Sequence, residues 1–469
     1  MTVKGIKSIK RNNAKHSITS ELKHVKINDR RLEKRLQTTA ELLEKSPKSS
    51  IPAACKTMAQ TKATYRLLGN SKLSPDNIID SHRQETIKRI KGQNIVLIPQ
   101  DTSSLNFSTH KKTEGIGPLG TGDSLLGLLM HTALCLTTEG VPLGLLAQKV
   151  WARNPNERGK SSKRKTLPIE AKESNKWLEM LELSLQGLPK ETVAVTVADR
   201  EADIYEFIHK AIQLRSHLLI RATHDRRVAN EQKRLYNQIQ TSPPVGECTV
   251  QVPRNAKLNI EAREANLIVK SFKTEICPPV RTDQTLPNLP VSVVYAEEQS
   301  PPKGVDPIKW LLVTTLDVPT LEAAIEKITW YCHRWKIERF HYVLKSGCEI
   351  EELQLETSIR LKNAIALYSV LAWKLTWITY QSRQTPDAPC SMILDETEWK
   401  VLYRLVNPKS ALPKKPPTLK ESVILIAKLG GFLARKNDGD PGIKVLWRGF
   451  HRFYNSLETL SALDLSPFS

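Results

Sequence analysis

A phenol, a guanidinium, a carboxylate and an ammonium recur at helical spacing late in this chain: Tyr331, Arg334, Glu338 and Lys345. Their run, WYCHRWKIERFHYVLKSG, has no Pro and no Gly before Gly347, which predicts one helix. At about 100° per residue the four project at roughly 0°, −60°, −20° and −40°, a single stripe. Ile325, Cys332, Phe340 and Val343 fall on the far side and are expected to face a core. A solvated face with Arg334 and Glu338 as an ordinary i,i+4 pair is the plainer reading. Two further acids change the balance. Asp101 follows Ile95-Val96-Leu97-Ile98, and Asp199 follows Val193-Ala194-Val195-Thr196-Val197-Ala198, both strand-like runs, so each carboxylate is expected where its strand ends. An acid there most often forms a turn or cap. Two of them with a Glu on a later helix have another use: converging carboxylates hold a pair of hard divalent cations, as in-line displacement at phosphate requires.

The elements that must position these groups are legible as an α/β pattern. Strand-like runs at 95–98, 128–137, 141–150 and 193–198 precede a helix from about 201 and a strand at 217–222. That order fits an RNase H-like core, a mixed sheet flanked by helices. Residues about 236–305, with frequent Pro and runs such as CTVQV, NLIVKSF and VSVVYA, read as an antiparallel β insertion before Trp310–Thr315 rejoins the sheet. A long apolar helix at about 360–380 leads to a Pro-rich joint. The expected organisation is a helical N-terminal domain (1–70), a catalytic domain (71–377) and a helical C-terminal domain (378–469).

The 469 residues carry 70 Lys and Arg against 49 Asp and Glu, a net charge of +21 that points to a polyanionic partner. The seven cysteines are scattered without a CxxC pair, which argues against a disulfide framework and a zinc ribbon and fits a reducing cytosol. The basic N-terminus lacks an apolar signal region, and no stretch approaches the roughly 20 apolar residues of a membrane span. Bacterial cytoplasm, on nucleoid DNA, is the expected location.

The strings QDTSSLNF, ADREADIYEF and Y-x2-R-x3-E-x6-K, in that order, resemble the catalytic motifs of bacterial DDE transposases, more narrowly of the insertion-sequence-four family. The similarity extends over nearly the whole chain, from NDRRLEKRL through ATYRLLGN, IKWLLVTT and HRWKIERFH to IAKLGGFLARK. It implies that Asp101, Asp199 and Glu338 hold two Mg2+ ions per active site, with Mn2+ as a substitute, for strand cleavage and strand transfer without a covalent enzyme nucleophile. It further implies that Tyr331, Arg334 and Lys345 contact phosphates near a transposon end, and that the C-terminal domain supplies dimer contacts. Arg31, Arg35 and Arg66 are expected to grip end DNA, although such a basic bundle face also serves solubility.

Trp310 stands before Tyr331 at the spacing where the family places a tryptophan under a flipped base, and Trp335 is a second candidate wedge; either residue also suits a core. Arg200, beside Glu201 in ADREAD, and Arg221 after the next strand are expected DNA contacts. Thr223 departs from the lysine of the family pattern, with Arg226 or Arg227 as substitutes. His110 and His224 are left without a role. The implied function is cut-and-paste transposition through a hairpin, the enzyme working as a homodimer on paired inverted repeats and target DNA. The alternative is a non-catalytic DNA-binding inhibitor or domesticated binder.

Overall fold

The computed structural model describes residues 17–120, 124–157, 167–252, 261–280 and 286–463. The basic segment at the N-terminus and parts of the expected β insertion lie outside them.

The N-terminal helices are α1 (Ile18–Glu21), α2 (Arg30–Lys45), α3 (Ile51–Cys55) and α4 (Met58–Leu68). Each start is marked in the sequence by an oxygen-bearing cap: Ser17, Asp29, Ser50 and Thr57 accept the first free backbone N–H groups. Helix α2 buries Leu36, Thr39, Ala40 and Leu43, one face at three- and four-residue spacing. Its opposite face leaves Arg31 and Arg35 exposed, as is Arg66 on α4.

After α5 (Pro75–Ile90) come β1 (Ile95–Asn106), β2 (Gly117–Pro118), β3 (Leu126–Leu136) and β4 (Pro142–Trp151). Then follow α6 (Asn175–Leu185), β5 (Val193–Ala198), α7 (Tyr205–Gln213), β6 (His217–Arg221) and α8 (Leu235–Thr241). The chain continues through β7 (Gly246–Val252), β8 (Arg263–Ile276), β9 (Leu289–Glu298) and β10 (Lys309–Thr314). Among the described residues these strands form one sheet of order β2-β3-β1-β5-β6-β10-β9-β8-β7, with β4 on β3. Strand β5 is parallel to both β1 and β6, and β1 is antiparallel to β3, giving the mixed RNase H-like centre that the sequence implies. The antiparallel insertion does not stand apart. Its strands β7, β8 and β9 pair successively onto β10, so it widens the main sheet.

The catalytic run departs from its expected form. A single helix was expected; instead α9 (Leu321–Cys332) and α10 (Trp335–Tyr342) are separated at His333 and Arg334, and a π-helical turn occupies Val343–Gly347. Across the break the bonds tighten to i→i+3, as from Arg334 N–H to the Tyr331 carbonyl at 3.0 Å. The cause is tertiary. The His333 ring lies against Gly140, where even a Cβ would sit 2.9 Å from the imidazole, and Gly140 makes its turn at φ +83°. Cys332, expected to face the core, is exposed, whereas Phe340 and Val343 are buried as expected.

Helix α11 (Ser358–Gln384) passes unbroken through the expected 377/378 boundary, followed by α12 (Glu396–Val406), α13 (Leu419–Leu429) and α14 (Ile443–Ala462). One buried cluster includes Ile18 and Leu36, Leu97 and Val294, and Leu361 and Phe453, so the three segments share a core. A polar strut crosses it. Glu21, 1% exposed, accepts from His82 Nδ1 at 2.7 Å and from both Arg89 terminal nitrogens at 2.7 and 3.0 Å. His82 Nε2 in turn accepts the Leu145 N–H at 3.0 Å, which makes the ring neutral with its proton on Nδ1. Arg89 also covers Trp373 of α11 at 4.3 Å.

Burial alone would raise the Glu21 pKa, but the hydrogen bonds from His82 and Arg89 and the charge of Arg89 outweigh it and hold Glu21 at about 2. A depressed folded pKa stabilises above the unfolded value of about 4.5 and loses that contribution as pH falls toward 2. Glu21→Gln, which leaves Arg89 unpaired, is therefore expected to cost about 3–5 kcal/mol in urea denaturation at pH 7. The gap to wild type should narrow below pH 4.5; a pH-independent gap would contradict this account.

Candidate active site

The sheet register brings the first two acids together. Strand β1 pairs in parallel with β5 from Ile95↔Val193 to Pro99↔Val197, and the same offset carries Asp101 alongside Asp199. Asp199 emerges directly after β5, as expected, and caps a short turn by accepting the Glu201 N–H at 3.0 Å. Asp101 does not mark a strand end. Strand β1 continues to Asn106 because β3 keeps pairing with it, Asp101 opposite Thr132. What ends beside Asp101 is the parallel neighbour, β5. Glu338 arrives from the side on α10, which packs on β1.

Satisfied and unsatisfied acids separate clearly within ADREAD. Asp203 is buried and accepts from Thr223 N–H at 2.8 Å, His224 N–H at 2.9 Å and Arg226 Nε at 2.9 Å. It organises the loop after β6, and it occupies Arg226 in a largely buried pair, whereas Arg227 stays exposed and donates to the Pro278 carbonyl at 2.6 Å. Glu201 is tied to the buried Lys176 at 2.5 Å, which anchors the turn presenting Asp199.

Asp101 has one short bond, from its neighbour's Thr102 N–H at 2.8 Å, and lies 3.7 Å from His341 Nδ1. Burial, then the negative charges of Asp199 and Glu338, push it up to about 7 against the pull of Thr102 N–H and Arg334. Burial raises Glu338 as well, with Asp199 adding to the shift and Arg334 opposing it. Arg334 bonds Glu338 at 2.7 Å.

The three carboxylates thus share one field without closing a cage. Among the described residues no three His, Cys, Asp or Glu side chains are gathered tightly enough to grip an ion as they lie, and Glu338 is turned onto Arg334. The donor set nevertheless fits a hard divalent cation: it is all oxygen and carries excess negative charge, and burial with the charges of Asp199 and Glu338 holds Asp101 toward its neutral form.

The basic and aromatic candidates fall into three groups. Tyr331, only 6% exposed, meets Trp310 edge to face with centroids 5.5 Å apart. Burial raises its hydroxyl pKa, opposed by Arg334 and Arg221 on either side, so Tyr331 reaches the site as a packed residue between two guanidinia. Arg221 ends β6, donates to the Lys309 carbonyl at 2.8 Å, and lies within the field of the exposed Arg200. Trp335 is 51% exposed with Arg334 over its ring at 5.4 Å, whereas Trp310 is half-buried on β10. Lys345 sits in the π turn and pairs with Glu351 at 3.5 Å. Arg31, Arg35 and Arg66 belong to the separate N-terminal helices.

Sequence reasoning missed His341, whose Nε2 is buried without a hydrogen-bond partner, and Glu351, which accepts the Asn106 N–H at 2.6 Å at the end of the strand carrying Asp101. The i,i+3 spacing from Glu338 was the available signal for His341. Nothing local marks Glu351.

This site on a mixed sheet with flanking helices defines an RNase H-like DDE core. Residues 170–374 match the family model described as transposase DDE domain, residues 14–73 transposase DNA-binding, and residues 370–460 transposase Tn5 dimerisation domain. Along the chain the DNA-binding, DDE and dimerisation matches together support a DDE transposase, with DNA and a second copy of the chain as its partners. Asp199 and Glu338 lie inside the DDE match and Asp101 before it. Among the described residues no helix is long and apolar enough to cross a membrane.

The folded pKa of Asp101 lies above its unfolded value, so the folded state binds the proton more tightly and stability falls as pH rises from about 4 to about 7. With a chelator present, Asp101→Asn should be more stable than wild type at pH 8 by roughly 2–4 kcal/mol, a gap that closes toward pH 4. Denaturant titrations at the two pH values check this; an Asn variant weaker than wild type at pH 8 would remove the charge crowding.

Proposed function

We propose that the chain is a cut-and-paste transposase of the insertion-sequence-four kind, similar to the transposase of composite transposon five, with Asp101, Asp199 and Glu338 as its catalytic metal ligands. The observation that carries this reading is the under-compensated carboxylate trio on a DDE core flanked by DNA-binding and dimerisation domains. Water nicks one strand, the freed 3′-hydroxyl attacks the opposite strand to form a hairpin, water reopens it, and the 3′-hydroxyl joins target DNA. Asp101, Asp199 and Glu338 would hold Mg2+, which would supply Lewis-acid activation and charge neutralisation at the reacting phosphate.

The chain's own residues bind and orient. Arg334 offers a planar fork suited to phosphate, and a phosphate arriving there competes with Glu338 for the guanidinium. Arg221 and Arg200 extend the positive field on the far side of Tyr331. Lys345 acts as a point charge at a neighbouring phosphate, and Arg31, Arg35 and Arg66 grip the end DNA. Trp310 stacks on the base extruded as the hairpin folds, with Trp335 as the exposed wedge. A non-catalytic DNA binder has no use for three carboxylates that repel one another and the DNA.

Asp199→Ala or Glu338→Ala should abolish Mg2+-dependent nicking of end DNA while end binding stays within a few-fold of wild type, read by gel shift beside a cleavage assay. Retention of a tenth of normal nicking by either variant would take that residue out of the metal site.

Trp310→Ala should slow hairpin formation about five- to 150-fold relative to the first nick, from the loss of roughly 1–3 kcal/mol of stacking. Removing the base at the flipped position should partly restore it. Equal loss at both steps together with a lowered melting temperature would reassign Trp310 to packing against Tyr331.

A further inference from the structure

We infer that Trp447, on α14 of the dimerisation match, is a positioning residue for Lys345 across the domain boundary. Lys345 lies in the π turn Val343–Gly347, closed by an i→i+5 bond from Cys348 N–H to the Val343 carbonyl at 2.9 Å. Such a turn gives up the regular i→i+4 ladder and persists where its surroundings impose it.

Three parts of the chain impose it here. The indole of Trp447 lies directly on Gly347: a Cβ there would meet ring atoms at 2.8 and 3.1 Å, so only glycine lets the backbone rest on the ring. Trp447 also packs on Tyr342, the residue before the turn, with centroids 5.7 Å apart. From the N-terminal segment, Lys48 pairs at 2.7 Å with Glu349, a left-handed residue at φ +47°. From the sheet, Glu351 joins the Asn106 N–H to Lys345. A partly open pocket lined by Glu44, Pro47, Phe450 and Tyr454 among others flanks the indole, so open space lies beside it. Loss of Trp447 lets the turn relax toward α-helix and swings Lys345 away from its phosphate, which couples the dimerisation domain to the DNA grip.

The inference rests on the reading of Lys345 as a phosphate contact, and a salt titration of end-DNA binding without divalent metal separates the two. Each phosphate contact adds about 0.9 to the log–log slope, about three- to fourfold in affinity between 50 and 200 mM salt. Lys345→Ala should lower the slope by about 0.9 and Trp447→Leu by the same amount. The double variant should fall no further, and Trp447→Phe, which keeps a ring on Gly347, should recover most of the slope. Gly347→Ala, which leaves the dimerisation domain intact and displaces the turn from the other side, should match Trp447→Leu, and it decides the matter if the tryptophan variant does not fold. A full slope in folded Trp447→Leu or Gly347→Ala, or an additive double variant, overturns the positioning role. An unchanged slope in Lys345→Ala overturns the phosphate reading itself, and the inference falls with it.

Discussion

The structure turns on Asp101 and the two carboxylates that share its field, Asp199 and Glu338. Asp101 is driven to about 7 by burial and by its neighbours, a cost that no packing interaction repays. Protonation relieves it at low pH, and a divalent cation bound where β5 ends beside β1 would relieve it at higher pH. The surrounding architecture is arranged to keep that tension in place.

The same chain shows that it can neutralise buried charge where nothing needs to bind. Glu21 is held at about 2 by His82 and Arg89, Asp203 is enclosed by backbone donors and Arg226, and Lys176 is paired with Glu201. These pairs do mechanical work: the first ties α1 to α5, β4 and α11, and the other two fix the turn after Asp199 and the loop after β6. The contrast between acids with full donor sets and acids without them separates Asp199 from Asp203 inside one short motif, a distinction that residue type cannot make.

The segment carrying Glu338 departs from regular helix at both ends. It is tightened where His333 seats on Gly140 and loosened into a π turn where Gly347 rests on Trp447. Glu338 and Lys345 are therefore aimed by contacts with a β3–β4 connection and with a C-terminal helix. The single buried cluster that runs through N-terminal, central and C-terminal elements makes such remote aiming possible, because movement of one element is felt by the others.

Short-range rules were enough for much of this molecule. The β-branched runs before Asp101 and Asp199, the antiparallel character of residues after 236 and the basic balance are all written in neighbouring residues. They delivered the element order, the α/β class and the acids worth watching. What needed the tertiary structure was everything set by residues far apart in the chain. Strand β1 outlasts its parallel partner because β3 pairs with it; the insertion joins the main sheet because β9 finds β10; Tyr331 is buried in a core that Trp310 helps to cover. A helix without Pro or Gly reads as continuous from its own residues, and Gly140 and Trp447, which bend it, lie about two hundred residues before it and a hundred after it. Local sequence chooses backbone conformations one turn at a time, whereas register, burial and the partners of a charge are decided by surfaces that meet only when the chain has folded.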